Sequence, residues 1–179
     1  YYNFNYYKNK KNNRIEFIKN APEEITKNLI IRNYHYEPYE GLEKKDDLKN
    51  IIQDIKFSKK NIYYETSKSE ILLFDSISTY NLEIMTINKP FLLLLDPEEF
   101  YLSYAGKKFF YDLETLSILH RNYKSLIVQF LYIKKIGVDN WWSTVSKNDK
   151  YKKIMRTYAN TENDNYSKWL KLISNILKK

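Results

Sequence analysis

The chain has 179 residues, 43% hydrophobic and 29% charged, proportions that suit one soluble domain, with at most a helical appendage. It holds no cysteine, which excludes a disulfide framework, a thiolate metal site and a thiol nucleophile. Net charge is +8, but the basic residues are scattered Lys with only four Arg, unlike the Arg-rich stripes of a nucleic-acid surface, so no nucleic-acid partner is expected.

A weak attraction to phosphate-rich surfaces, anionic membrane included, survives that discount. The longest uninterrupted apolar stretch, FLLLL at 91–95, is far short of the roughly 20 residues of a spanning helix. The opening YYNFNYYKNKKNN lacks the apolar core of a signal peptide, and a cytoplasmic location is the expectation.

In chain order, residues 1–13 read as a polar N-terminal tail or edge extension, and 14–179 as one domain. RIEFIKN at 14–20 suits a short helix, and Pro22 with Glu23 and Glu24 suits a second start, with Pro at the first helical position. LIIRNY at 29–34 is a strand, residues 35–47 a loop and 47–55 a helix by its apolar spacing. NIYYET at 61–66 reads as a weaker strand. Then follow strand 71–75, helix 79–88, strand 91–95, a helical segment 98–115 with a break near Gly106, and a short strand 116–120. A helix over 123–137 ends on Gly137, and helices near 147–159 and 165–178 close the chain. Strands that alternate with helices and are apolar on both faces predict an α/β fold: a Rossmann-like parallel sheet flanked by helices, with a helical C-terminus.

Three glycines, Gly41, Gly106 and Gly137, cannot build a dinucleotide fingerprint or a P-loop. Two distant histidines, His35 and His120, with no HExxH pattern argue against zinc. No metal, no cofactor and no GxSxG nucleophile are expected, and the pattern names no catalytic residue.

The chemistry-bearing stretch is DSISTYNLE at 75–83. Ligands of open parallel sheets bind beyond the carboxyl ends of the strands, where a helix N-terminus offers free N–H groups to phosphate. Ser76, Ser78 and Thr79 add hydroxyls, and Glu83, read as first-turn, can accept from a ribose. Capping accounts for the same residues: Ser78 or Thr79 as N-cap, Glu83 complementing the helix dipole. On spacing alone capping is the commoner outcome. His35 and His120 are further cleft candidates. Trp141–Trp142 is read as a buried anchor rather than a sugar-stacking pair, and Asp96-Pro97-Glu98-Glu99 as a strand end with a Pro-started helix rather than an acid/base pair.

The stretch SISTYNLEIMTINKPFLLLLDPEEF resembles the S-T-x-x-x-E segment with its Asn-x-Pro loop in bacterial surface-carbohydrate transferases of the two-domain GT-B architecture. NLIIRNYHYEPYEG resembles their Arg-x-Tyr strand and Gly-containing loop; DNWWSTV, KIMRTYA and SKWLKLISNIL resemble their Trp-Trp segment and late helices. The resemblance runs over about residues 14–178 and covers their C-terminal, donor-nucleotide half. It implies a nucleotide-sugar donor, a glycan or lipid-linked acceptor, and a separate N-terminal domain on the acceptor side. It implies action in lipopolysaccharide or capsule biosynthesis, peripheral to the inner face of the membrane. It casts Ser78 and Thr79 as phosphate contacts, Glu83 as the ribose contact and Arg32 as a phosphate or acceptor-side cation, with Ser76 in the same nucleotide-sugar-binding set. Two positions depart from the pattern: Leu42 follows Gly41 where Trp is frequent, and Tyr80 stands where a second Thr is common.

Overall fold

The computed structural model describes residues 4–32 and 56–159. The loop with His35 and Gly41, the expected helix 47–55 and the closing helix 165–178 lie outside the described residues.

The described chain is α/β, mostly helical around small parallel sheets. It opens with α1 (Phe4–Asn20) and α2 (Glu23–Thr26). The helix expected over 14–20 thus begins ten residues earlier, inside the stretch read as a tail. Its reason is tertiary. Lys10, Arg14, Phe17, Ile18 and Ala21 recur at helical spacing on one face. Phe17 and Ile18 are buried, and Lys10 and Arg14 are held by a carboxylate far along the chain. An apolar-period reading sees only the second half of that face. Pro22 stands one position before the first helical residue, as the cap of α2, with φ −53° and ψ 145°.

β1 (Ile30–Ile31) pairs in parallel with β2 (Lys56–Phe57). The next segment corrects the expected strand 61–66: it is helix α3 (Ile62–Lys68). Its Ile, Tyr and Thr favour strands in general, but Asn61 caps the turn by accepting from the Tyr63 N–H at 2.8 Å. Thr66 then bonds back to the Ile62 carbonyl at 2.9 Å. Local capping outweighs β propensity here.

The main sheet follows as expected, with β3 (Leu72–Phe74), β4 (Phe91–Leu94) and β5 (Leu119–His120) parallel and adjacent in that order. Helix α4 (Thr79–Thr86) links the first two. All four residues of β4 are buried, as a central parallel strand requires. After β4 comes a 3-10 turn, Pro97–Glu99, then irregular chain, then α5 (Tyr104–Thr115). The break expected near Gly106 therefore falls before Ser103, whose hydroxyl caps α5 by accepting from the Gly106 N–H. Gly106 sits inside the helix, where a Cβ would come within 3.4 Å of Leu102.

Helix α6 (Tyr123–Ile136) ends on Gly137 at φ +87°, a left-handed cap that glycine takes without strain. The same glycine starts α7 (Val138–Lys147), a helix not anticipated from the sequence. Its Trp141, Trp142 and Val145 are buried. The helix α8 (Asp149–Ile154) runs into a π-helical turn, Met155–Ala159. α1 packs on α6, α6 on α7, α7 on α8 and α8 on α5, while the π turn packs on α4.

Candidate functional site

Because β3, β4 and β5 are parallel, their carboxyl ends share one edge. Asp75 follows β3 directly, Asp96 stands two residues beyond β4, and Arg121 follows β5 directly. Helix α1 lies across that edge. The Arg14 guanidinium donates to Asp75 Oδ2 through Nε at 2.7 Å and through Nη2, and Lys10 Nζ is 3.7 Å from Asp75 Oδ1. From the position before Lys10, the exposed Asn9 donates through Nδ2 to Glu99 Oε1 at 2.6 Å. The ion-paired side chains are largely out of water: 7% exposed for Lys10, 17% for Arg14 and 24% for Asp75. Burial pushes the Asp75 carboxyl up, but the Arg14 and Lys10 charges and the Arg14 hydrogen bonds outweigh it and hold its pKa below the usual value.

The other end of the edge is acidic. Arg121 grips Glu114 with two parallel bonds, Nε–Oε1 at 2.8 Å and Nη2–Oε2 at 3.1 Å, while Nη1 reaches Glu98 at 2.7 Å and Asp96 at 3.5 Å. The bonds from Glu114 and Glu98 raise the Arg121 pKa above its ordinary range. Among the described residues, two cations face one carboxylate at β3 and three carboxylates face one cation at β5, so the β3 end is the less acidic of the two.

At that end the chain turns through Ser76 and Ile77 into α4. Ser78 caps the helix: its N–H donates to Asn81 Oδ1 at 2.6 Å, and the Asn81 N–H donates to the Ser78 carbonyl at 3.1 Å. Thr79 is the first helical residue and is exposed. Asn81 is buried, and its Nδ2 finds no partner, an orphaned donor beneath a hydroxyl-rich turn. Glu83 does not stand in the first turn of α4, which holds no acid; it lies in the second, exposed. Ser76, Ser78 and Thr79 are thus brought together, with Glu83 further along the same helix.

No described contact ties Arg32 to that turn. It follows β1, and its Nη1 donates to the Lys60 carbonyl at 3.0 Å. His120 is buried, with its Nε2 3.2 Å from the Ser117 carbonyl; burial lowers its pKa despite that bond and Glu114. His35 lies outside the described residues. The Tyr80 departure has a structural use: its hydroxyl meets Thr66 of α3, and its ring stands edge-on to Phe74 and Tyr63, each at 6.1 Å between centroids. Trp142 is a buried anchor, its indole N–H donating to the Asn88 carbonyl at 2.9 Å.

The residues that sequence reasoning missed are Lys10, Arg14 and Asn81. Asp75 was visible as the end of an apolar run, but nothing local marks its partners. Among the described residues no three His, Asp or Glu side chains converge to hold a metal ion. None of the described helices is long and apolar enough to cross a membrane.

A family model described as "LIC12162 family transferase" matches residues 4–173. No curated protein and no solved structure matches the chain.

Proposed function

The chain belongs to the LIC12162 family of transferases, and from that premise we propose that it binds the nucleotide-sugar donor of a glycosyltransferase that builds surface polysaccharide or lipopolysaccharide. The observation that carries this reading is the order strand, hydroxyl turn, helix N-terminus at the carboxyl edge, beside the Lys10–Arg14 pair. A donor's phosphates meet the free N–H groups of α4, the hydroxyls of Ser76, Ser78 and Thr79, and the positive potential of Lys10 and Arg14 nearby. The orphaned Asn81 Nδ2 supplies a further donor for an oxygen ligand or a bridging water. Glu83, one turn on, accepts from the ribose hydroxyls.

In this reading the chain is half of a GT-B cleft. A second domain presents the glycan or lipid-linked acceptor, and the enzyme works in the cytoplasm against the inner face of the membrane. Phosphates on the β3 side orient the donor, leaving its sugar toward the partner domain. Orientation of two reactants accounts for about 7–11 kcal/mol of a barrier. The donor half alone therefore binds nucleotide and transfers no sugar.

The test is a titration with UDP, GDP, CMP and short DNA at two salt concentrations. Saturable nucleotide binding that weakens in Thr79→Ala supports the reading. Tight DNA binding with steep salt dependence marks a nucleic-acid protein instead, and no binding of any of them refutes both.

A further inference from the structure

On the opposite, amino edge of the sheet, Asn88, Ser146, Tyr151, Lys152, Met155 and Arg156 line a cavity of about 270 Å³. At roughly 30 Å³ per molecule, that is room for about nine waters: enough for a phosphate on a small carrier, too little for a nucleotide-sugar. Among the described residues, its walls carry two cations and no carboxylate. Arg156 is exposed, and its guanidinium makes no ion pair or hydrogen bond with any described residue. Lys152 has only Asp149 at 3.5 Å, a fully exposed carboxylate that water screens.

Two independent features point the same way. Arg156 sits in the π-helical turn Met155–Ala159, a costly distortion that recurs at functional sites. Asn88 holds a left-handed backbone at φ +53°, pinned there by Trp142, whose indole bonds both its carbonyl at 2.9 Å and its Oδ1 at 3.1 Å. A rigid rim and an unspent guanidinium border one small space.

We propose that this cavity is a second ligand site, separate from the carboxyl-edge turn, and that it takes a small phosphate-bearing group. Arg156 forms the charge-assisted bonds to the phosphate oxygens, and Lys152 adds a second positive charge. Ser146 supplies a hydroxyl. A sugar phosphate and a phospholipid headgroup share this chemistry.

The experiment titrates the chain with inorganic phosphate, with a hexose 1-phosphate and with phosphatidylglycerol vesicles, reading affinity and ligand-induced Tm. Binding of the soluble phosphates assigns a metabolite; binding of the vesicles alone assigns a headgroup. In either case Arg156→Gln is expected to weaken affinity at least about tenfold, the scale of one charge-assisted bond. Because Arg156 is exposed and unpaired, that variant folds. Thr79→Ala should leave this binding unchanged, which separates the site from the carboxyl edge. Binding that survives Arg156→Gln intact, or that is lost in Thr79→Ala, overturns the proposal, as does no binding of any of the three probes.

Discussion

Arg14 and Asp75 stand 61 residues apart, yet the guanidinium of one closes on a single carboxylate oxygen of the other through two nitrogens. The pair fastens α1 over the carboxyl end of β3, with Lys10 as a second cation. Breaking one side of a buried ion pair takes away compensation from the charges that remain, which costs about 3–5 kcal/mol when burial is complete.

Asp75→Asn should therefore destabilise the fold by about 2–4 kcal/mol, below the fully buried range because part of the side chain still reaches water. Urea unfolding of wild type and variant at neutral pH measures this. A difference under about 0.5 kcal/mol, typical of a surface substitution, would show that α1 is not held by the pair.

The same carboxylate sets an acid dependence with a definite sign. Its folded pKa lies below the ordinary 3.8, so its stabilisation is present above about pH 4 and lost as pH falls through the folded value. The stability gap between wild type and Asp75→Asn should be widest near neutrality and close below about pH 4. A gap that widens on acidification contradicts the ion-pair account.

His120 gives a separate transition. Burial holds it neutral, with a pKa below the ordinary 6.5, so the unfolded chain takes up its proton first. Stability is full above pH 6.5 and falls as pH drops toward the folded value. His120→Gln should flatten this limb below about pH 6.5. Equal slopes in the two proteins would assign the loss to other groups.

Glu83 is exposed, and its side chain contacts no described residue through a hydrogen bond. Glu83→Gln should leave the thermal midpoint unchanged and weaken nucleotide binding by about 1–3 kcal/mol, the scale of a bond to a charged acceptor. Calorimetric titration with the best-bound nucleoside diphosphate provides the number. An unchanged affinity removes Glu83 from the ribose.

The residues between 71 and 95 were legible because their signals are local. Apolar runs of strand length are bounded by a hydroxyl turn and a Pro, and Ser78 begins the helix as its type predicts. Gly137 was legible for the same reason. The NIYYET segment misled because the β-branched and aromatic residues outvote a single Asn61 cap in any propensity sum. Gly106 misled because a helix tolerates one glycine when the Leu102 side chain packs on it. Val138–Lys147 was passed over because it begins on the residue after a helix stop, where a reader expects loop. The charge cluster at the strand ends was illegible in principle: no spacing rule joins residue 14 to residue 75. At the candidate site, the turn was visible from its hydroxyls, but the position of Glu83 along α4 depended on where the helix starts.

The order of the sheet also sets a sequence of events in folding. Leu72 pairs with Phe91 and Leu93 with Leu119, so each strand pairing closes a loop of about 20–30 residues around its own crossover. Docking α1 through Arg14 and Asp75 closes a loop of 61. By chain entropy that costs about 1 kcal/mol more than either pairing. The strands can therefore assemble as neighbouring units while α1 is still searching, and the helix settles onto an edge already built. On the way out the order reverses. The lid over the strand ends leaves first, and amide hydrogens of α1 should exchange with solvent while those of β4 remain protected.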